Sequence, residues 1–296
     1  MTKDKDEVDF TENTDADAAA SLAEAEACAR RYAGKDIVVK YGGAAMSDEA
    51  RKRAVMRDVA LLSRLGVRLT LVHGGGPEID ALLRRLGKEP VFVDGLRHTD
   101  AETMDVVCMV LAGKVNKDLV GLLCAAGGKA VGFCGADGAM LRAERRRAAP
   151  DLGFVGEIRQ ADATLLEMAL SKGFTPVVAT IGVGADGALF NINADTAAAA
   201  VACALQAESL ISMTDVKGVL QGADGAGAPI KTLRATEARD LIARGIVRGG
   251  MIPKIECCVA AVCGGVREAC IVDGRVPHAL LRALSSEDAA GTRFVR

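Results

Sequence analysis

Three glycine-rich turns, each hard against an apolar stretch, constrain this chain more than any other feature. They read Lys40-Tyr41-Gly42-Gly43, His73-Gly74-Gly75-Gly76-Pro77 and Gly249-Gly250-Met251-Ile252-Pro253-Lys254. The first two close the runs Ile37-Val38-Val39 and Leu69-Thr70-Leu71-Val72, so each reads as a buried strand delivered into a turn. Apolar runs of this kind predict strands at 36–40, 67–73, 129–134, 174–180, 208–213 and 267–273. Helical periodicity predicts helices near 16–32, 48–65, 77–87, 100–126, 161–172, 194–206, 235–244, 253–263 and 277–284. Short apolar strands alternating with helices require a mostly parallel sheet covered on both faces, an α/β three-layer sandwich. The segment 151–156 and its neighbours read as a hairpin outside that sheet. A boundary between two lobes is expected near Asn191, where an alanine-rich helix restarts the pattern. That division gives 1–33 as an N-terminal arm and helix, 34–190 as one lobe and 191–296 as the other. Residues 1–15 read as disordered, 222–227 as a loop, and the helix at 16–32 as an appendage open to a partner subunit.

Composition narrows the function. In 296 residues, 50% are hydrophobic but only 3% aromatic, which suits closely packed helices on a sheet. A formal net charge of −2 supplies no basic field for nucleic acid. Arg145-Arg146-Arg147 directly follows Glu144 and reads as a solvated loop. No stretch approaches the roughly 18 apolar residues of a membrane span, and residues 1–17 lack the apolar core of a signal peptide. The nine cysteines form no CxxC pair, so reduced thiols, a cytoplasmic location and no protein-held metal are expected.

The glycine turns point to an anion. Glycine lets a backbone approach a ligand closely and lets successive N–H groups converge, and a helix starting just beyond adds its positive end. Lys40 reads either as a strand-end surface lysine or as a phosphate contact. Pro77 and Pro253 suit helix starts, so Lys254 falls in a first turn, where a cation opposes the dipole. His73 reads as a histidine packed at a strand end rather than a general base. Asp195 follows Asn193 into a helix, as plain capping or as a functional carboxylate. Met213-Thr214-Asp215-Val216-Lys217-Gly218-Val219 leaves a strand end, where α/β sheets bind ligands or simply turn. Arg97 offers a planar fork for a carboxylate from a loop. There is no GxxxxGK[ST] run, no GxGxxG after the first strand and no protein-kinase HRD or DFG set.

Taken in order, these turns, together with Gly95-Leu96-Arg97-His98-Thr99-Asp100, Gly113-Lys114-Val115-Asn116-Lys117, Gly153-Phe154-Val155-Gly156 and Asn191-Ile192-Asn193-Ala194-Asp195, resemble the amino-acid kinase family from about Gly34 to Thr292. Within it the resemblance is to the branch whose acceptor is N-acetyl-L-glutamate. It implies ATP-dependent phosphorylation of that side-chain carboxylate, a step of arginine biosynthesis. It assigns Lys40 and Lys254 to the transferring phosphoryl group and Asp195 to orienting them. Gly75 and Gly76 would contact substrate, with Arg97 and Asn191 holding the acetylglutamate. Gly42, Gly43, the run Thr214, Asp215, Val216, Lys217, Gly218, Val219, and Gly249, Gly250 and Met251 would cradle ATP carrying Mg²⁺. The same resemblance makes 34–190 the acceptor lobe, 191–296 the nucleotide lobe, and the protein a homodimer or homohexamer. Kinases of aspartate, glutamate or carbamate, and a non-catalytic nucleotide or amino-acid sensor, are the competing readings. Two departures stand out. Gly135-Ala136-Asp137-Gly138 lacks the lysine usual at its second position, and Ala283 stands where arginine-inhibited relatives place an acidic residue.

Overall fold

The computed structural model describes residues 15–46, 48–147, 149–220, 227–247, 249–285 and 291–296. The disorder expected over 1–15, apart from Asp15, which instead opens a helix, and most of the loop expected at 222–227 therefore lie outside the described residues.

In chain order the first half runs α1 (Asp15–Tyr32), β1 (Asp36–Tyr41), α2 (Glu49–Arg64), β2 (Arg68–His73), α3 (Gly76–Arg85), β3 (Phe92–Val93) and β4 (Leu96–Arg97). There follow α4 (Ala101–Cys108), α5 (Asn116–Ala125), β5 (Ala130–Cys134), β6 (Leu141–Arg145), β7 (Gly156–Ala161), α6 (Thr164–Ser171), β8 (Thr175–Ala179), β9 (Ile181–Val183) and β10 (Leu189–Asn191). The second half runs α7 (Ala194–Ala204), β11 (Ser209–Thr214), β12 (Thr232–Arg234), α8 (Ala235–Ala243), α9 (Met251–Cys263), β13 (Glu268–Asp273), α10 (Ala279–Ser285) and β14 (Thr292–Val295).

Eight strands form the central sheet in the order β12-β14-β13-β11-β1-β2-β8-β5. The six predicted strands are all here and pair in parallel, while β14 runs antiparallel to β13. The period of two along each strand divides the core. Ile37, Val39, Tyr41, Leu69, Leu71 and Ile211 join one apolar cluster with α1, α2, α4, α5 and α10. Val38, Val72 and Leu210 join the other with α6, α7, α8 and α9. Burial on both faces explains why apolar residues stand side by side in these strands rather than alternating with polar ones. No helix of the described residues is long and apolar enough to cross a membrane.

Local chemistry sets the helix ends. Asp48 accepts from Arg51 N at 2.7 Å to cap α2, and Asp100 accepts from Thr103 N at 2.9 Å to cap α4. The single helix expected over 100–126 is instead α4 and α5 joined by a π-helical stretch, Met109–Val115. That wider winding brings Leu111, Val115 and Asn116 all into the interior. The helix read as an appendage is packed on the chain's own core, with Ala25, Cys28 and Tyr32 buried and Cys28 Sγ 3.4 Å from the Leu281 carbonyl oxygen.

A second sheet, β10-β9-β6-β7, sits beside the first. Its antiparallel pair β6–β7 spans the segment expected as a hairpin, with 151–155 in the connection and Gly156 opening β7. The expected lobe boundary falls between β10 and α7, and the central sheet runs across it through the β1–β11 pair.

Candidate active site

Strand β1 lies in the middle of the sheet, with Lys40 in register between Ser212 of β11 and Val72 of β2. Its side chain emerges where β1 meets the Gly42-Gly43 turn. Asp195 comes from the first turn of α7, and Lys254 from the start of α9. These three groups converge. Lys40 Nζ lies 3.1 Å from Asp195 Oδ1, and Lys254 Nζ lies 3.5 Å from Asp195 Oδ2. Ser212 Oγ stands 3.4 Å from the same Oδ1. Burial alone would raise the Asp195 carboxyl, but the two ammonium charges outweigh it and hold the group below the usual carboxylate range. Capping of α7 is done by Asn193, whose side-chain oxygen accepts from the amides of Asp195 and Thr196 at 2.9 and 3.1 Å. The Asp195 carboxylate is thereby left to the lysines.

The second glycine turn abuts this cluster. A Cβ on Gly42 would stand 3.6 Å from Gly74 N, and one on Gly74 would stand 3.4 Å from the Ala194 methyl. Gly75 is the cap residue of α3, whose first turn carries Pro77. A Cβ there would meet Leu111 Cδ2 at 2.8 Å and Val115 Cγ2 at 3.1 Å, so a side chain would force those neighbours to shift. His73, with no exposed surface, is buried beneath the turn, where burial pushes its imidazole down to about 4. It is neutral at pH 7.

Arg97 is nearly buried at the end of β4 and pairs with Asp80 of α3. Its Nη2 donates to Gly76 O at 3.3 Å, and its guanidinium lies 4.7 Å from the Phe92 ring centre. Asn191 Nδ2 donates to Thr99 Oγ1 at 3.1 Å, and Thr99 Oγ1 donates to Arg97 O at 2.8 Å. Gly76, Arg97, Thr99 and Asn191 are thus one connected wall.

The run from Thr214 to Val219 leaves β11, next to β1. Thr214 Oγ1 donates to Asp215 at 3.1 Å, while Val219 is buried and gives its N–H to Thr292 Oγ1 at 2.8 Å. Gly218 has φ +122° against Thr292, a conformation and a fit that exclude a side chain. The far end of this run is therefore anchored to β14, with Lys217 acting on the nearby Asp273.

Asp195, Lys254, Gly249 and Gly250 line a cleft of about 1340 Å³, with α7 and α9 as one wall and β7 and Arg146 as the other. Gly75, Gly76, Arg97, Asn191 and the Thr214 to Val219 run lie outside its lining. Among the described residues, no group of three or more His, Cys, Asp or Glu is placed to hold a metal. Three polar members of the site escaped the sequence reading: Asp80, Thr99 and Ser212. Thr99 and Ser212 stood inside segments already singled out, and Asp80 lies one helical turn beyond Gly76.

A sequence profile of the amino acid kinase family matches residues 35–273. An acetylglutamate kinase of Clostridium kluyveri is 50% identical over 271 residues, covering 92% of this chain and 96% of the relative. One from Synechococcus elongatus is 48% identical over 287 residues, covering 97% and 95%. Among solved structures, the N-acetylglutamate synthase of Neisseria gonorrhoeae complexed with coenzyme A and N-acetyl-glutamate superposes with a TM-score of 0.81 at 28% identity. That match spans 94% of this chain and 63% of the synthase. A Giardia carbamate kinase shares the fold, with a TM-score of 0.62 at 15% identity.

Proposed function

The chain belongs to the amino acid kinase family, and from that premise we infer that it transfers the terminal phosphoryl group of ATP to the side-chain carboxylate of N-acetyl-L-glutamate. The products are N-acetyl-L-glutamyl 5-phosphate and ADP, and the step belongs to arginine biosynthesis. The observation that carries the reading is the convergence of Lys40, Asp195 and Lys254 beside a glycine turn, in a chain half identical to acetylglutamate kinases.

A side-chain carboxylate has a pKa of about 4.3, so the acceptor is already a nucleophilic anion at pH 7. No base is needed, in keeping with a neutral, buried His73. The obstacle is electrostatic: two unit charges 4 Å apart repel by about 4 kcal/mol at an effective dielectric of 20. Lys40 and Lys254 offset that repulsion at the transferring group, and Asp195 holds both ammonium groups to one point. The amides of Gly75 and Gly76, at the positive end of α3, face the developing charge. Arg97 and Asn191 hold the acceptor. Gly42, Gly43, Thr214 to Val219, and Gly249 to Met251 contact the nucleotide. Mg²⁺ bound to the nucleotide would neutralise part of the polyphosphate charge. In this reading 34–190 bind the acceptor and 191–296 the nucleotide, the protein assembles as a homodimer or homohexamer, and the reaction is cytoplasmic.

The test is MgATP-dependent acyl-phosphate formation, trapped as the hydroxamate, with N-acetyl-L-glutamate, glutamate, aspartate, or bicarbonate plus ammonia. Strong preference for acetylglutamate is expected. Turnover of another acceptor overturns the substrate, and ATP binding with no turnover of any acceptor indicates a sensor.

A further inference from the structure

The motif Gly113 to Lys117 has no part in the chemistry above, yet it ends in a buried polar chain leading to the second glycine turn. Lys117 Nζ donates to Asn116 Oδ1 at 3.0 Å, which fixes the orientation of that amide. Asn116 Nδ2 then donates to the carbonyl oxygen of Val177 at 2.8 Å and to His73 Nε2 at 3.1 Å, with Phe133 O at 3.2 Å. Since Nε2 accepts, the ring proton sits on Nδ1, which lies 2.9 Å from Gly74 O and donates to it. Asn116 and His73 are both fully buried. The site is built to take Asn116: a Cβ on Gly132 would fall 1.9 Å from Asn116 Oδ1.

The consequence follows from peptide geometry. In a planar trans peptide the C=O and N–H point in opposite directions. With Gly74 O drawn onto the imidazole, the N–H of Gly75 in the same peptide points away from it. The structure shows no protein acceptor for that N–H among the described residues.

We propose that His73, held by Asn116 and Lys117, is a positioning residue for phosphoryl transfer: it orients the Gly74–Gly75 peptide so that the Gly75 N–H meets the transferring group. His73 touches neither substrate nor nucleotide. Its neutrality follows from burial first, with the Lys117 charge adding to it. The proposal rests on reading the turn as the phosphoryl-facing donor, as in the preceding section.

The test compares His73→Leu with His73→Asn, whose side-chain amide keeps an N–H near the place of Nδ1. Leucine leaves Asn116 its two carbonyl acceptors, which favours folding. Misplacing a donor by about 1 Å costs on the order of 10²-fold. The expected result for His73→Leu is a kcat lower by about 10- to 100-fold, with KM for ATP and acetylglutamate within about threefold. His73→Asn should stay within about threefold of the unmodified protein in all three. A leucine variant with near-normal kcat, or equal losses in both variants, overturns the proposal. Nitrogen NMR of the ring in the unmodified protein gives a second readout that needs neither variant to fold. A neutral Nδ1–H tautomer from pH 6 to 8 is expected, and an Nε2–H tautomer or an imidazolium overturns it. Unmodified protein run in the same assay separates failure of the kinase reading from failure of the positioning role.

Discussion

Lys40 Nζ lies 3.1 Å from Oδ1 of Asp195, and both side chains are largely withdrawn from solvent. One belongs to the sheet's central strand and the other to a helix in the second half of the chain, so the contact joins the two halves at the candidate site. A shared carboxylate keeps two ammonium groups together that would otherwise repel.

Replacing Asp195 with asparagine keeps the shape and removes that restraint. We expect kcat to fall at least tenfold, less than for loss of a preorganised donor, at about 10²–10³. The same change reports on acid stability. The folded carboxyl is held below its unfolded value, so its contribution is present above about pH 3.9 and is lost as pH falls through the folded pKa. Urea unfolding should therefore show the gap between the unmodified protein and Asp195→Asn narrowing below pH 4. A constant gap contradicts the assignment.

Gly75→Ala places a methyl against Leu111 and Val115. Overpacking of this kind costs about 1–3 kcal/mol. The turn should shift, lowering both the unfolding midpoint and kcat; calorimetry with steady-state kinetics checks the pair. Full activity would show that the turn is not tightly placed.

A second titrating contact fastens α10 to α2. His278 Nδ1 lies 2.9 Å from Asp58 Oδ1, and that hydrogen bond raises the imidazole pKa above its usual 6.5. While Asp58 stays ionised, its own carboxyl being raised by burial, the histidine's contribution is fully present below about pH 6.5 and is lost as pH rises through the folded value. The stability difference between the unmodified protein and His278→Gln should be larger at pH 6 than at pH 9 by denaturant titration. Equal differences at both would remove His278 from the pH response.

Ala283 is a buried methyl inside α10, where arginine-inhibited relatives are expected to carry an acid. Arginine titrated to millimolar levels should leave the rate unchanged. Inhibition in that range would require an effector site built without this position.

Much of the fold was legible because a sheet buried on both faces announces itself: 36–40, 67–73 and 208–213 each carry adjacent apolar residues in a short segment, and each is a strand. The small sheet was not. Strands β6 and β7 carry Arg142, Glu144, Glu157 and Arg159 on an exposed side, and β9 and β10 are three residues each, too short for a period to show. The π-helical stretch was hidden for a different reason, since its residues keep helical composition and nothing in their spacing marks the wider winding. At the site, glycine turns flagged Lys40 and Lys254, and Asn193 flagged the start of α7. Nothing local says that Asp195 sits between both lysines, or that Asp80 pairs with Arg97, because those contacts exist only once the sheet order is set.

The most direct test of the central claim is the steady-state kcat of Lys40→Ala and Lys254→Ala with acetylglutamate and MgATP. Loss of one preorganised cation from the transferring group predicts a fall of about 10²–10³ in each, with folding intact by circular dichroism. A fall of less than about fivefold in both would contradict the account, since removing either donor is expected to cost far more.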